Sequence, residues 1–148
     1  MILHGDSLEV LKTIDACSVD ALVTDPPYGL TSITEKKVKA CLSAWLIGEQ
    51  FDDVASSGFM GKEWDNWIPP PDIFKEVYRV MKPGAHGLVF AGSRTQDLMT
   101  LSLRLAGFEV RDTLMWLYSN GFPKSHNVEK STGDAQWTGW GNSFKACL

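Results

Sequence analysis

Long apolar runs, paired cysteines and an excess of positive charge are all missing from this chain of 148 residues. Its longest apolar stretches are far too short to cross a bilayer, and no charged and then apolar leader opens it. Its three cysteines lie far apart, with no Cys-x-x-Cys pair and no nearby pair of histidines, which disfavours zinc and favours reduced thiols. We therefore expect a cytoplasmic protein without a membrane anchor and without a metal.

The charge balance argues against nucleic acid as a partner. Asp and Glu outnumber Lys and Arg by 18 to 14, whereas proteins that bind nucleic acid usually present a basic face. Two local clusters weaken this objection, because Lys36, Lys37 and Lys39 lie in a polar stretch and Lys124 follows a Gly-Phe-Pro turn. Such clusters are more often only solvated surface. The composition, 44% hydrophobic and 22% charged, is that of an ordinary globular chain of one domain.

One short segment combines three chemical groups in a rigid turn. The apolar run of residues 21–24 predicts a short buried strand, and Asp25, Pro26, Pro27 and Tyr28 follow it directly. Two successive prolines fix φ and remove two backbone donors, so the strand must stop there. An acid, a carbonyl and an aromatic ring then stand at the carboxyl end of a strand, which is the edge where open α/β sheets bind ligands.

This turn suits a flat ring that carries an amino group. The Asp25 carboxylate and the Pro26 carbonyl are both acceptors, and together they match the two N–H donors of an exocyclic amine. The Tyr28 ring would stack on the heterocycle. On these four residues alone an alternative stays open: the segment is only a stiff turn with an exposed ring, since Asp and Pro are common in turns.

The first half of the chain predicts the opening of a parallel sheet. We expect a strand over Met1–His4, a helix capped by Ser7, and then the strand that ends at the turn. Beyond the turn the pattern dissolves into Gly, Ser, charges and isolated aromatics. Residues 29–67 therefore predict a mobile lid or an insertion, with a short helix over residues 38–47.

The second half resumes the alternation of helices and strands. A helix is predicted from the N-cap Asp72 to Met81, and a buried strand over Gly87–Ala91 follows it. Ser93 or Thr95 is expected to cap a helix that ends near residue 105. The long alternating segment 108–118 predicts an exposed or antiparallel edge strand.

Taken in order, a set of segments resembles the amino-terminal part of the S-adenosylmethionine-dependent DNA amino-methyltransferases. The resemblance is to the permuted class, found in phage and restriction-modification enzymes, in which the catalytic motif precedes the cofactor motif. The occurrence of these segments together and in this order is far more specific to the class than any single segment. The matching segments begin with Gly5-Asp6-Ser7-Leu8, Ser18-Val19-Asp20, Thr24-Asp25-Pro26-Pro27-Tyr28 and Val80-Met81-Lys82-Pro83-Gly84. They continue with Ala91-Gly92-Ser93-Arg94-Thr95, residues 106–112 and Gly121-Phe122-Pro123-Lys124-Ser125.

The resemblance implies a fold and a reaction. The fold would be α/β, a partial Rossmann-like methyltransferase fold in which residues 1–148 form one incomplete catalytic domain. It would have a mostly parallel sheet flanked by helices, with an antiparallel edge. S-adenosylmethionine would be the cofactor and duplex DNA the substrate, with the target adenine flipped out of the helix. Tyr28 would stack on that adenine, while Asp25 and the Pro26 carbonyl would hold its N6 amine.

Residue roles follow from the resemblance position by position. The catalytic residues would be Asp25, Pro26, Pro27 and Tyr28. The cofactor would contact Gly5, Asp6 and Asp25, although a plain helix-capping or turn role for Asp6 is the default without the motif context. The residues expected to contact DNA are Tyr28, Lys36, Lys37, Arg94 and Lys124.

The sequence also departs from this family. It has no strand followed by a glycine-rich loop of the Asp-Pro-Phe-x-Gly-x-Gly type, the segment that lets the backbone approach the cofactor. We therefore expect a fragment, the product of a frameshifted reading frame, or one half of a split enzyme, with central strands of the sheet missing. The strand at Met1–His4 would then pair beside the catalytic strand, borrow a partner from another chain, or fray.

Three alternative functions remain open at this stage. The amine acceptor could be the N4 amine of cytosine, because both bases present the same two donors; Asp rather than Ser in the turn favours adenine. A degenerate methyltransferase that binds without catalysis would fit the missing glycine loop. Methylation of a protein or of a small-molecule amine is the third possibility. As partners, a second copy of the chain or a separate carboxyl-terminal half are both compatible with the sequence.

Overall fold

The computed structural model describes residues 2–29, 33–51, 66–117, 125–127 and 140–142. The chain divides into two compact units, Met1–Arg111 and Asp112–Leu148. The first unit contains α1 (Ser7–Lys12), β1 (Val19–Thr24), α2 (Glu35–Leu46), α3 (Pro71–Val80), β2 (Met81–Val89) and α4 (Gln96–Leu105). The second contains the antiparallel pair β3 (Ser125–Asn127) and β4 (Trp140–Asn142). The fold is mixed α/β, as predicted.

A parallel pair of strands, β1 and β2, forms the centre of the first unit. Val19 pairs with Met81, and the ladder then continues from Ala21 with His86 to Thr24 with Val89. Residues 82–85 therefore bulge out of β2, and Gly84 adopts a φ of 79° there. The expected strand over Gly87–Ala91 begins earlier, at Met81, because α3 passes into β2 without a loop.

Two of the predicted helix caps are wrong, for a local reason. α1 is capped by Asp6 and not by Ser7, because the Asp6 carboxylate accepts hydrogen bonds from the N–H groups of Leu8 and Glu9. α3 begins at Pro71, and Pro70 is its N-cap residue. Proline suits the first helical position, which Pro71 occupies. Asp72 therefore lies inside the first turn, where it pairs with Lys75 at 2.9 Å.

Arg79 joins the ends of two helices. Its guanidinium donates to the carbonyls of Leu11 and Ile14 at 2.9 to 3.1 Å, at the end of α1. At the same place the N–H groups of Cys17 and Ser18 donate to the carbonyls of Arg79 and Val80. β1 thus starts beside the end of α3, which sets the parallel pairing of β1 with β2.

A buried cluster lies on one face of this sheet. α3 and α4 contribute much of it, and Leu22 and Val89 pack against it from the strands. α2 joins the same cluster through Cys41 and Trp45. The helix predicted over residues 38–47 is therefore confirmed, although it begins earlier, at Glu35, after Thr34 caps it. The lid function predicted for residues 29–67 stays a prediction.

The opposite face of the sheet is exposed, which makes the expectation of two fully buried strands wrong. Val23 and Leu88 are neighbours in the ladder and are 72% and 54% exposed. Strand side chains alternate between faces, so the helices that cover Leu22 and Val89 cannot cover these two residues. Parallel sheets normally have both faces covered, and here the described residues cover only one.

Two predicted strands do not form. Ile2–His4 lies outside any strand, and Ile2 is 95% exposed. Residues 108–117 likewise contain no strand, and the side chains at Leu114, Met115, Trp116 and Leu117 are exposed. Both segments have strand-like composition, but a strand is held by hydrogen bonds to a neighbour, and neither segment is in a strand ladder of the described structure. Of the three fates considered for the first strand, pairing beside β1 is therefore not observed.

Candidate active site

The Asp-Pro-Pro-Tyr turn stands at the carboxyl end of β1, where the sequence predicted it. β2 ends beside it, and the N–H of Phe90 donates to the carbonyl of Thr24 at 3.0 Å. The carboxyl ends of both parallel strands therefore lie at the same edge of the sheet. The turn follows β1 at this edge, and the loop of residues 90–95 follows β2. This is the edge at which α/β folds place their ligands.

Within the turn, the acid and the aromatic residue contact each other. The Tyr28 hydroxyl donates a hydrogen bond to Oδ1 of Asp25. Asp25 is exposed, while Pro26, Pro27 and Tyr28 are partly buried. This bond uses one of about four acceptor positions of the carboxylate, so Asp25 keeps the capacity to accept further hydrogen bonds. The sequence predicted that these groups lie together, but it did not predict the bond between them.

Gly29 holds the turn against the protein. It is buried, has a φ of 62°, and lies so close to Trp67 and Ile68 that an added Cβ would be 3.2 Å from the Trp67 Cα. Trp67 is itself fixed, because its indole Nε1 donates to Sγ of Cys41 at 3.1 Å. Trp67 is buried and therefore has a packing role here. α2 thus supports the turn through Trp67.

The Cys41 thiol gives a chemical test of this support. Burial raises its pKa to about 11, although the Trp67 N–H opposes the shift. At pH 8 about one thiol in a thousand is then a thiolate, so we expect iodoacetamide to modify the exposed Cys17 and to spare Cys41 until the chain unfolds. Peptide mass spectrometry with and without denaturant measures this, with Cys17→Ser as the control. Equal labelling of both thiols in the native chain would contradict the structure.

The pKa of Cys41 also gives a pH dependence of stability. A raised pKa means that the folded state favours the neutral thiol. This contribution to the free energy of unfolding is therefore complete below the ordinary thiol pKa of 9.0 and is lost as the pH rises through about 11.

The loop after β2 contacts the turn through a residue that the sequence assigned to helix capping. Thr95 is the N-cap residue of α4, but its side chain makes no capping hydrogen bond. Instead its Oγ1 donates to the carbonyl of Tyr28 at 2.7 Å. Of Ser93 and Thr95, the structure therefore selects Thr95 as the residue at the cap position and gives its hydroxyl another partner.

The residues predicted to contact the cofactor lie at the start of α1. Gly5 is exposed in the turn before the helix, and Asp6 caps the helix through Oδ1. The hydrogen bonds of the Asp6 carboxylate in the described structure are both within its own helix. The structure therefore shows the plain helix-capping role of Asp6. The contact of Asp6 with the cofactor stays a prediction, in which Oδ2 would be the oxygen that binds.

The residues predicted to contact DNA are spread over the chain. Lys36 and Lys37 lie in the first turn of α2, and Arg94 lies exposed in the loop immediately before Thr95. Arg94 is thus adjacent in sequence to the residue that contacts the turn. Lys124 lies outside the described residues. Contact with DNA stays a prediction for all four.

Comparison with known proteins identifies the family. The model of a DNA methylase family matches residues 19–138, which include the Asp-Pro-Pro-Tyr turn and the loop of residues 90–95. The chain belongs to the DNA methylase family. The resemblance drawn from the sequence motifs is thereby confirmed.

Two curated relatives of this DNA methylase show how much of such a protein the chain spans. It is 24% identical over 160 residues to the type II methyltransferase M.HindIII of Haemophilus influenzae, covering 94% of the chain and 52% of that relative. It is 26% identical over 120 residues to the DNA adenine methyltransferase YhdJ of Escherichia coli, covering 80% of the chain and 33% of that relative. The chain thus spans a third to a half of these proteins. No solved structure matches it significantly.

Two features of the methylase site were missed at the sequence level. Gly29 directly follows the turn, and its position after two prolines and a tyrosine was a usable signal for a residue with positive φ. Thr95 lies in the loop after the neighbouring strand, at the same edge of the sheet. Only its contact with Tyr28 distinguishes it from an ordinary N-cap.

The described residues also bear on metal binding and on membrane insertion. They contain no group of three His, Cys, Asp or Glu side chains arranged to hold a metal ion. None of the helices in these ranges combines the length and the apolar character that crossing a membrane requires.

Proposed function

We propose that this DNA methylase transfers a methyl group from S-adenosylmethionine to the exocyclic N6 amine of an adenine flipped out of duplex DNA. The observation that carries the proposal is the turn at the carboxyl end of β1, where one carboxylate, one backbone carbonyl and one aromatic ring are held within four residues. Family membership supports the reaction class. The reaction takes place in the cytoplasm.

The turn acts on the amine of the substrate. Oδ2 of Asp25 and the carbonyl of Pro26 accept its two N–H groups, which draws the nitrogen from a planar toward a tetrahedral geometry. Its lone pair, otherwise conjugated with the ring, then becomes available to the methyl group. Pro27 has no N–H to compete for these acceptors, and the Tyr28 ring stacks on the base.

S-adenosylmethionine supplies a methyl group that is already strongly electrophilic when bound. The protein therefore contributes mainly by orientation, holding the amine nitrogen in line with that methyl group. Asp25 need not be a strong base, because the proton on the methylated nitrogen is acidic enough to leave. Gly5, Asp6 and Asp25 form the proposed cofactor contact, with Oδ2 of Asp6 as the acceptor for a polar cofactor group.

DNA is the proposed partner of four cationic side chains. Lys36, Lys37, Arg94 and Lys124 would contact phosphates, whose binding sets the position of the protein on the duplex. Tyr28 would contact the flipped base. Adenine is proposed over cytosine because the turn begins with Asp; the relative YhdJ, described as an adenine methyltransferase, supports the same choice.

Transfer of labelled methyl groups tests this proposal. The purified chain is incubated with methyl-labelled S-adenosylmethionine and unmethylated genomic duplex DNA, and the DNA is digested to nucleosides. We expect label in N6-methyladenine. Label in N4-methylcytosine would overturn the adenine assignment but preserve amine methylation. Label in protein alone would overturn the choice of DNA.

Calorimetry with the cofactor separates catalysis from binding alone. We expect heat of binding when S-adenosylmethionine is titrated into the chain. Absence of both heat and label at millimolar cofactor would overturn the enzymatic proposal and leave a protein that binds without catalysis.

A further inference from the structure

Thr95 occupies an unusual position for a helix N-cap. It is 1% exposed, and its own carbonyl accepts the first hydrogen bond of α4, from the N–H of Met99 at 3.0 Å. An N-cap threonine ordinarily uses its hydroxyl to accept a hydrogen bond from the first turn of its helix. Here the hydroxyl donates out of the helix, to Tyr28. The capping interaction is given up for a contact with the turn.

The acceptor of this bond lies at the centre of the site. The Tyr28 carbonyl is part of the peptide plane between Tyr28 and Gly29, and this plane sets where the Tyr28 Cα and its ring stand. The distance of 2.7 Å is that of a good hydroxyl hydrogen bond. The bond is partly buried and links the turn to α4 across 67 residues of chain, so it favours one position of the turn.

The donor of this bond is equally well anchored. Thr95 N–H donates to the carbonyl of Gly92 at 3.0 Å, which closes the loop after β2. Leu98 and Met99, in the following turn of α4, are buried in the core cluster. The hydroxyl is therefore fixed to the body of the protein and not to a loose loop.

We propose that Thr95 is a positioning residue for methyl transfer: its hydroxyl holds the Tyr28 carbonyl and thereby the ring of Tyr28 and its hydrogen bond to Asp25. In this role Thr95 acts through Tyr28 and not by its own contact with substrate or cofactor. The role in transfer rests on the proposed function, whereas the effect on the geometry of the turn does not. Thr95→Val removes the hydroxyl at nearly constant shape, and Thr95→Ser keeps it.

Fluorine NMR tests the geometric part without requiring activity. The chain has three tyrosines, Tyr28, Tyr78 and Tyr118, and labelling with 3-fluorotyrosine gives each one a signal. Tyr→Phe substitutions at residues 28 and 78 assign their signals. Tyr78 packs edge-on against Phe108 with ring centroids 5.2 Å apart, so its signal reports whether the surroundings of α3 remain folded.

We expect Thr95→Val to shift and broaden the Tyr28 signal while the Tyr78 signal stays in place, and Thr95→Ser to restore the Tyr28 signal. Ser102→Ala is the matched control, because the Ser102 hydroxyl is also buried on α4 but donates to Pro69 at 2.8 Å. An unchanged Tyr28 signal in Thr95→Val, or an equal change in Ser102→Ala, would overturn the proposal. If Thr95→Val also loses the Tyr78 signal, the test uses Thr95→Ser and Ser102→Ala instead. A Tyr28 signal that is displaced in both of these variants would overturn the proposal.

Kinetics test the catalytic part. Misplacement of the ring and the carboxylate should lower kcat by about tenfold to a hundredfold in Thr95→Val with little change in KM for S-adenosylmethionine, and Thr95→Ser should recover most of the loss. A change in KM alone would overturn a positioning role. If the unsubstituted chain transfers no methyl group, the proposed function fails, while the NMR comparison still decides the role of Thr95 in the turn.

Discussion

Replacing Asp25 by Asn is expected to lower kcat for methyl transfer to DNA by about a hundredfold to a thousandfold, the loss typical when one preorganised polar contact to the reacting group is removed. Asn keeps the size of the side chain but loses the negative charge, and its amide N–H₂ group would face the donors of the amine. It also weakens the charge-assisted bond from the Tyr28 hydroxyl. Transfer of labelled methyl groups to duplex DNA measures the change.

Asp20→Asn provides the matched control. This substitution removes the same charge five residues before Asp25, within β1, but Asp20 is exposed and pairs with Lys82 at 2.5 Å. Exposed ion pairs contribute little, so this variant should retain the kcat of the unsubstituted chain. An equal loss in both variants would mean that net charge, and not the geometry of the turn, determines the rate.

Two variants of Tyr28 separate its ring from its hydroxyl. Tyr28→Phe keeps the stacking surface and frees Oδ1 of Asp25, whereas Tyr28→Ala removes the ring. Under the proposed mechanism the alanine variant should lose far more activity than the phenylalanine variant, since base stacking contributes about 1 to 3 kcal/mol. Equal losses would instead assign the main role to the hydroxyl.

Replacing Gly29 by Ala is expected to lower the free energy of unfolding by about 2 to 4 kcal/mol. A φ of 62° disfavours any residue with a Cβ by about 1 kcal/mol, and crowding against neighbours that cannot yield adds about 1 to 3 kcal/mol. The crowded atoms are backbone, the Trp67 Cα at 3.2 Å and the Ile68 N at 3.3 Å. Urea denaturation measures the loss.

Gly48→Ala isolates the contribution of crowding. Gly48 has a φ of 77°, close to that of Gly29, but an added Cβ there would meet nothing within 4 Å. It should therefore show only the conformational penalty of about 1 kcal/mol. If the two alanine variants are equally stable, the close approach of the turn to Trp67 and Ile68 is wrong. A Gly29 variant that stays folded should also lose methyl transfer.

The Asp-Pro-Pro-Tyr turn was predictable because its geometry is local. Two prolines end β1 whatever the rest of the chain does, so Asp25 and Tyr28 must lie in the turn that follows the strand. The helices were predictable for a related reason, since their apolar spacing and flanking Gly and Pro residues act within a few positions of one another. Errors at their starts, such as Ser7 for Asp6 and Asp72 for Pro70, arise because several neighbouring residues can each serve as a cap.

Strands were harder to predict than helices. Ile2–His4 and residues 108–117 have the composition of strands, yet neither joins a ladder in the described structure, whereas the short pair β3 and β4 arises in a segment for which no strand was predicted. A strand depends on a distant partner, and no local pattern states whether that partner is there. The exposure of Val23 and Leu88 has the same origin, because burial of a sheet face depends on what packs over it.

The sequence by itself determined the chemistry that the chain carries: an acid, a carbonyl and a ring in one rigid turn, and the ordered motifs that mark a DNA methylase. The steric effect of proline and the identity of each residue depend only on the local sequence, so both can be read without knowledge of the fold. Only the tertiary structure decided what holds this turn. Thr95 lies 67 residues beyond Tyr28 in the chain, and Trp67 is 26 residues from Cys41. Contacts across such distances exist only once the parallel strands and their helices have packed.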